Sequence, residues 1–278
     1  MNSIYTEALQ RLSTVYEPGE ARAVVRAWLE DAFGITLNDI YAGKDIHFSE
    51  EERQRFRSML ARLASGEPVQ YVTGLAPFGD IVLEVGPGVL VPRPETLELA
   101  QWAAEQCSPG ARILDIGTGS GCLAVWLALH VPSANVTAVD ISREAIAVAQ
   151  RNAASIGASI SFIWGDALHD GGIPAAEYDL IISNPPYVCL SERNAMHRNV
   201  LDYEPHEALF VDDSDPLLFY RAIARYAAAM LAPHGATMVE INRRFARETA
   251  DTFRLAGFTA VETRCDMQGN PRMICARQ

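Results

Sequence analysis

From Arg112 to the C-terminus the sequence alternates between short apolar or β-branched runs and longer stretches with helical spacing. Strands are expected at Ile113–Ile116, Val136–Asp140, Ile160–Trp164, Tyr178–Ser183, Thr237–Ile241, Ala260–Arg264 and Met273–Ala276. Helices are expected between them at Cys122–His130, Arg143–Ile156, Pro216–Leu231 and Arg244–Ala256. Alternation of this kind implies an α/β fold, a parallel sheet whose crossover helices cover both faces. Ligands of such sheets gather beyond the carboxyl ends of the strands, so the residues that follow each strand are the ones to read for chemistry.

The chain ahead of this region has a different character. Residues 1 to about 70 read as helical, with Ala8, Leu9, Leu12 and Val15 on one face and Ala21, Val24, Val25, Trp28, Leu29 and Phe33 on another. A short piece follows at Leu37–Tyr41, and Ser49-Glu50-Glu51-Glu52 matches a capping box that opens a helix running to Ser65. Between the two regions, Val69–Val72 and Ile81–Val85 have strand character and suggest a hairpin. Gly86-Pro87-Gly88 and Pro92-Arg93-Pro94 then force an extended path, read as an interdomain linker and, at Val91–Thr96, a lid beside the cofactor. Thr96–Gln106 returns to helix. The expected division is 1–70, 71–95 and 96–278.

A net charge of −12 argues against a broad basic footprint for direct contact with nucleic acid. Lys44 is the only lysine, and the arginines are scattered. The five cysteines form no CxxC pair and have no histidine at ligand spacing, so no metal site is expected and the thiols are read as free. Met1–Leu12 lacks a signal-peptide core, and no apolar run approaches the roughly 20 residues that span a bilayer. The expectation is a cytoplasmic protein with no membrane partner.

Leu114-Asp115-Ile116-Gly117-Thr118-Gly119-Ser120-Gly121 falls at the first strand-to-helix turn. Its glycines let backbone approach a ligand where a Cβ would collide. About 20 residues further on, Asp140 ends the next strand and is placed to accept from ribose hydroxyls. Dinucleotide-binding dehydrogenases share these two features. Asp115 tilts the reading, because an acid there suits a cationic cofactor better than a pyrophosphate, and S-adenosylmethionine carries a sulfonium and an amino group. Asp166, after the third strand, lies where an acid would contact adenine. The cofactor set is therefore Asp115, Gly117, Thr118, Gly119, Ser120, Gly121, Asp140, Asp166, Ala167 and Asn184. His169 and His206 show no partner at useful spacing and read as surface or packing residues. Glu240 reads as a minor contact or a solvated strand end.

The fourth strand ends in Asn184-Pro185-Pro186-Tyr187. Two prolines stop the strand and leave a stiff turn displaying a carboxamide, main-chain carbonyls and an aromatic ring. Asn184 and the Pro185 carbonyl can each accept one N–H of a planar NH2 group, with Pro186 and Tyr187 shaping the slot. An amide nitrogen is a poor nucleophile because its lone pair is delocalised. Two acceptors holding both hydrogens orient that lone pair and favour the charge that develops on attack. Asn184, Pro185 and Tyr187 are the expected catalytic residues. No general base is needed before attack, since proton loss can follow methylation.

With these pieces placed, the chain resembles the release factor glutamine N5-methyltransferases, the PrmC/HemK family. The resemblance rests on Gly66–Tyr71 with Gly74 and Phe78, on Pro87–Thr96, on Asp115–Gly121, on Asn184–Val188 and on Tyr203–Phe210. It implies a Rossmann-like class I S-adenosylmethionine methyltransferase domain, joined by a β-hairpin linker to a small all-α N-terminal domain that helps dock the substrate. It further implies transfer of a methyl group to the glutamine of the Gly-Gly-Gln motif of peptide chain release factors. A monomer is expected, although nothing in the sequence fixes the oligomeric state. Three departures stand out: Ala167 where relatives often carry an aromatic residue, Leu97 where they often carry an acid, and Asn242-Arg243-Arg244 where they usually have glycine and later glutamine. None is expected to touch the chemical centre. Rival readings are a ribosomal-protein glutamine methyltransferase, an adenine N6-methyltransferase acting on nucleic acid, and a module that binds a release factor without methylating it.

Overall fold

The computed structural model describes residues 3–44, 46–169, 171–173 and 175–278. Met1 and Asn2, the start of the expected helical domain, lie outside the described residues. The chain folds into two compact units. The first comprises Met1–Leu75, Val85–Pro87 and Met196–Glu204, and the second Ala76–Glu84, Gly88–Ala195 and Pro205–Gln278.

The first unit begins with helices α1 (Ser3–Leu12), α2 (Pro18–Phe33), α3 (Leu37–Tyr41), α4 (Glu50–Ala64) and α5 (Val69–Thr73). Pro18 opens α2, where a missing N–H costs nothing, and Gly34 closes it in the left-handed region at φ 64°. Ser49 caps α4 as the sequence predicts: its hydroxyl accepts from Glu52 N at 3.2 Å, and the Glu52 carboxylate accepts from Ser49 N at 2.8 Å. The apolar faces meet around fully buried Leu12, Trp28, Leu29 and Leu63, with the Trp28 and Phe56 rings stacked 4.9 Å apart. Val69–Val72 is helical, not the expected strand. Pro68 at φ −53° starts the turn and Gly74 at φ 79° ends it, so neighbouring Tyr71 and Val72 are both buried, where the alternation of a strand would have exposed one of them.

The second unit opens with paired strands β1 (Leu75–Phe78, whose first residue belongs to the first unit) and β2 (Ile81–Glu84), so the hairpin begins later than the sequence suggests. There follow α6 (Pro94–Gln106), β3 (Arg112–Ile116), α7 (Cys122–His130), β4 (Asn135–Asp140), α8 (Arg143–Ile156), β5 (Ile160–Trp164) and β6 (Tyr178–Ser183). Two-residue strands β7 (Val188–Cys189) and β8 (Phe210–Val211) pair with each other; helix α9 (Arg198–Tyr203), between them in sequence, belongs to the first unit. The chain ends with α10 (Leu218–Met230), β9 (Leu231–Glu240), α11 (Ala246–Leu255), β10 (Ala260–Cys265) and β11 (Pro271–Arg277).

The main sheet has the order β10-β11-β9-β6-β3-β4-β5. Neighbours from β9 to β5 are parallel, whereas β11 pairs antiparallel with both β9 and β10. The short link from Cys265 to Pro271 leaves no room for a crossover, so these last strands depart from the all-parallel expectation. Strand β9 also starts earlier than expected, and a register irregularity against β6 absorbs the extra residues around His234, at φ 71°. Successive strand residues feed opposite cores. Ile113, Leu180, Ile182 and Met238 join Leu99, Trp102 and Leu127 on one face, while Leu114, Ile181 and Val239 join Tyr220, Ile223 and Phe253 on the other. No helix among the described residues is long and apolar enough to cross a membrane.

Between β3 and β6 the strand order reverses: the chain runs outward through β4 and β5 on one side, and through β9 on the other. Such a switch point leaves a crevice at the carboxyl ends of the two central strands.

In the first unit, Trp28→Ala is expected to cost about 3–5 kcal/mol through the cavity it leaves. Hydrogen exchange read by mass spectrometry should then show protection lost across α1, α2 and α4 while the strands of the main sheet keep theirs. Loss across both units together would mean that they unfold as one.

Candidate active site

The turn after β3 is built around a buried acid. Asp115 is fully buried, and its Oδ2 accepts from the Thr118 hydroxyl at 2.6 Å. Its Oδ1 takes no hydrogen bond among the described residues. Burial pushes this carboxyl up to about 7, opposed by the Thr118 hydroxyl, while the Asp140 charge adds to the rise. The Ala124 N–H also opposes it, approaching the carboxyl without the geometry of a full hydrogen bond to Oδ1. Gly117 N and Thr118 N donate to the Val139 carbonyl at 2.8 and 3.0 Å, and Gly119 N donates to Asp140 Oδ2 at 2.8 Å. The loop after β3 is thereby strapped to the end of β4. Gly117 and Gly119 sit at φ 74° and 57°, and a Cβ on either would stand in open space in front of the backbone. Gly121 has a different duty: a Cβ there would meet the Ala149 Cβ at 3.0 Å, so its absence lets α7 lie against α8.

The turn after β6 stands beside this loop because Ile116 pairs with Ser183, and the Ser183 hydroxyl donates to the Ile116 carbonyl at 2.6 Å. Asn184, Pro186 and Tyr187 are half-buried and Pro185 is buried. Asn184 Nδ2 donates to Thr96 Oγ1 at 2.9 Å, and Thr96 Oγ1 donates to Glu240 Oε2 at 2.6 Å. The other carboxylate oxygen, Oε1, accepts from the Tyr187 hydroxyl at 2.9 Å. Neither Asn184 Oδ1 nor the Pro185 carbonyl takes a hydrogen bond from any described residue. Glu240 is therefore no solvated strand end. It is buried beside Thr96, and burial pushes its carboxyl up while Thr96, Tyr187 and the Arg272 charge pull the other way. Burial, reinforced by the Glu240 charge, pushes the Tyr187 phenol well above its ordinary value, so it remains a donor.

Several residues whose roles the sequence did not reveal complete the site. Thr96 arrives through the proline-bounded segment that reads as a linker: Pro94 opens α6, and Thr96 is buried in its first turn. Asn152, fully buried on α8, donates to the Ser120 carbonyl at 2.8 Å and the Glu84 carbonyl at 2.9 Å, and accepts from Glu84 N at 2.6 Å. One side chain thus ties the glycine loop to β2. Asn242 donates to the Tyr187 carbonyl at 3.0 Å and to Glu192 Oε2 at 2.7 Å. This corrects the expectation that the departures near Asn242 stay clear of the chemical centre, since this one braces the Tyr187 backbone. Ala167 and Leu97 do pack into the two cores.

Asp166 turns back on its own loop, accepting from Leu168 N at 2.8 Å and pairing with His169 Nδ1 at 2.5 Å. His169 therefore has the partner that the sequence did not suggest, and His206 meets the Phe210 ring edge-on at 5.4 Å. Beyond β4 and β5, Ile141 and Trp164 are each 56% exposed and joined by a 2.7 Å hydrogen bond from Trp164 Nε1 to the Ile141 carbonyl. No cluster of three or more His, Cys, Asp or Glu among the described residues could hold a metal ion.

These features fit S-adenosylmethionine. The bare glycine backbone leaves space that a side chain would fill, Asp140 is held as an acceptor at the loop, and Asp115 is a buried carboxylate with an unused oxygen that a nearby cation would favour.

Comparison with known proteins bears on the same residues. The family model described as the PrmC N-terminal domain matches residues 3–74, and that described as the methyltransferase small domain matches residues 99–202. The release factor glutamine methyltransferase of Bacteroides thetaiotaomicron is 40% identical over 278 residues, covering 100% of both chains. That of Flavobacterium psychrophilum is 36% identical, covering 97% of this chain and 96% of its own. Among solved structures, the 16S rRNA N2 G1207 methyltransferase of T. thermophilus, bound to AdoMet and guanosine, superimposes with a TM-score of 0.53 at 19% identity, over 73% of this chain and 49% of that one. At that identity the likeness concerns the fold.

Two outcomes test the site. Asn152→Leu should cost about 2–4 kcal/mol by stranding three backbone groups, read by urea unfolding, and should weaken S-adenosylmethionine binding because the glycine loop loses its brace. For Asp115, the folded carboxyl at about 7 lies above its unfolded value of 3.8, so the folded state holds the proton more tightly and this group's contribution to stability falls as pH rises between them. A cationic ligand favours the ionised form. Affinity for S-adenosylmethionine by calorimetry should therefore rise up to about tenfold from about pH 6 to about pH 8, and Asp115→Asn should flatten that rise.

Proposed function

The chain belongs to the release factor glutamine methyltransferase family, and from that premise we infer that it methylates the side-chain amide nitrogen (N5) of the glutamine in the Gly-Gly-Gln motif of peptide chain release factors. It is an S-adenosylmethionine-dependent protein methyltransferase. The observation that carries the choice of substrate group is the pair of unspent acceptors, Asn184 Oδ1 and the Pro185 carbonyl, in a turn whose side-chain donors are already committed to Thr96 and Glu240.

When bound, S-adenosylmethionine supplies an electrophilic methyl group on a sulfonium. Everything else falls to the protein. Asp115, Gly117, Thr118, Gly119, Ser120, Gly121 and Asp140 hold the cofactor, with Asp166 and Ala167 along the loop after β5. Asn184 Oδ1 and the Pro185 carbonyl each accept one N–H of the glutamine amide, which fixes the plane of the amide and so the direction, perpendicular to that plane, along which its nitrogen lone pair attacks. Attack builds positive charge on the nitrogen, and both acceptors face that charge in a setting that needs no reorganisation. Pro186 stiffens the turn, and the Tyr187 ring, braced through its hydroxyl by Glu240, forms the wall of the slot. The proton leaves after methylation, when the nitrogen has become acidic. The first unit, matched over residues 3–74 by the PrmC N-terminal domain, is the docking element for the factor.

The test is tandem mass spectrometry of an unmodified, folded release factor after incubation with enzyme and S-adenosylmethionine. One added methyl on the Gly-Gly-Gln glutamine is expected, and no addition while cofactor binding is intact would sink the substrate assignment. Asn184→Ala should lower turnover by about 10²–10³-fold, the scale seen when one preorganised polar partner is lost, with cofactor affinity within a few-fold. Loss of both together would make Asn184 a cofactor ligand instead.

A further inference from the structure

The Thr96 hydroxyl has one proton to give. Asn184 Nδ2 approaches Thr96 Oγ1 at 2.9 Å as a donor, so the Thr96 proton must leave in another direction, and Glu240 Oε2 lies 2.6 Å away. A carboxamide looks nearly the same after a half-turn, and only its partners decide which end faces outward. Were the Thr96 proton free, it could equally donate to the Asn184 oxygen, and Asn184 would then show the pocket an NH2 group. That arrangement would repel the NH2 end of a glutamine amide and draw in a carbonyl or carboxylate oxygen, the amide's own included, where the reacting nitrogen belongs.

We propose that Glu240 is a positioning residue that sets the chemical selectivity of the site: by accepting the hydrogen bond of the Thr96 hydroxyl it makes Thr96 Oγ1 an obligate acceptor towards Asn184, which locks Asn184 with its oxygen towards the substrate. The inference deepens the reading of Asn184 as the group that receives the substrate N–H, and rests on it. Glu240 Oε2 fills this role in either protonation state of the carboxyl, provided that a proton, when present, sits on Oε1 beside the Tyr187 hydroxyl. The second oxygen extends the effect to Tyr187, so one buried side chain orients both the acceptor and the wall of the slot. Its own position is secured by β9, which places Val239 opposite Ser183 of β6 and Glu240 opposite Met273 of β11. Thr96 and Glu240 are 2% and 1% exposed, too buried for water to substitute for either partner.

The experiment uses the full-length enzyme and combines kinetics on a release factor with NMR of the asparagine side-chain amides. Asn184 is assigned by the NH2 pair that disappears in Asn184→Asp. In the wild type its Nδ2 protons should exchange slowly. Thr96→Val removes the acceptor and Glu240→Met frees the Thr96 proton, so in both variants those protons should exchange quickly, whereas Thr96→Ser should preserve them. Thr96→Val and Glu240→Met should lower kcat by about 10- to 100-fold, as expected for a misplaced reacting group. Cofactor affinity should stay within about threefold, since these residues act on the bound geometry and not on cofactor binding, and Thr96→Ser should recover most of kcat.

Slow Asn184 exchange surviving in Glu240→Met or Thr96→Val, or an undiminished kcat in Thr96→Val, would overturn the proposal. Should Glu240→Met fail to fold, the isosteric Glu240→Gln takes its place. Its amide oxygen can still accept from Thr96, so slow Asn184 exchange should survive, and fast exchange in the folded variant would overturn the role of Glu240. If the wild type leaves release factors unmodified but the exchange pattern is as expected, the positioning role stands and the substrate assignment is what has failed.

Discussion

The site depends on one pairing of strands. β3 and β6 lie side by side in parallel, with Ile116 opposite Ser183, and the Ser183 hydroxyl closes that pairing onto the Ile116 carbonyl. A slip of one residue would turn every side chain of β6 to the other face, exchanging Ile181 and Ile182 between the two cores. The cost of that exchange fixes the register, and the register fixes where two short turns emerge. The turn after β3 is a stripped backbone with open space before it, and the turn after β6 is a proline-stiffened segment that leaves Asn184 Oδ1 and the Pro185 carbonyl unbonded by any described residue. Neither does much alone. Their adjacency follows from the reversal of strand order at the centre of the sheet.

Two buried acids stand behind these turns and are used in opposite ways. Asp115 keeps one oxygen without a hydrogen-bond partner, the capacity that the proposed function assigns to a cationic ligand. Glu240 has both oxygens engaged by protein hydroxyls, with Arg272 helping to hold charge in its surroundings. Burying a carboxylate is costly, and a buried polar group is better evidence for specificity than for stability. Glu240 and its partners fit that pattern, because their geometry serves the orientation of neighbours.

Much of this was legible in the sequence. The strands and helices from Arg112 onward have a strong period, and β5, β6, α7 and α8 fall on the expected residues. The glycine loop and Asn184-Pro185-Pro186-Tyr187 announce themselves because their chemistry is local: backbone that must be bare, and a turn that must be stiff. Val69–Val72 misled because Tyr71 and two valines favour a strand, while the decision was made outside the segment by Pro68 and Gly74. Thr96, Glu240 and Asn242 stood out in the sequence only as part of a proline-bounded segment, a strand end and a departure from the family pattern, and Asn152 not at all; their partners carried no local signal. Thr96 and Glu240 are 144 residues apart, and Asn152 reaches 68 residues back to Glu84. A side chain whose role is to orient a distant neighbour has no signature in its own surroundings, and it becomes visible only when the sheet brings the two together.

The division of the chain has a consequence for how such a protein could be cut or recombined. The path changes unit five times, after residues 75, 84, 87, 195 and 204. The helical unit is therefore not a cassette appended at one end. Excising residues 1–75 would leave Val85–Pro87 and Met196–Glu204 behind, and the Tyr203 hydroxyl would lose the Ser65 carbonyl to which it donates at 3.1 Å. That second insert begins nine residues beyond Tyr187, within the stretch that joins the acceptor turn to α10. Swapping N-terminal segments between relatives to change their partners would need all three pieces to travel together, so in this architecture a new partner is more readily reached by point changes within the unit than by exchange of a module.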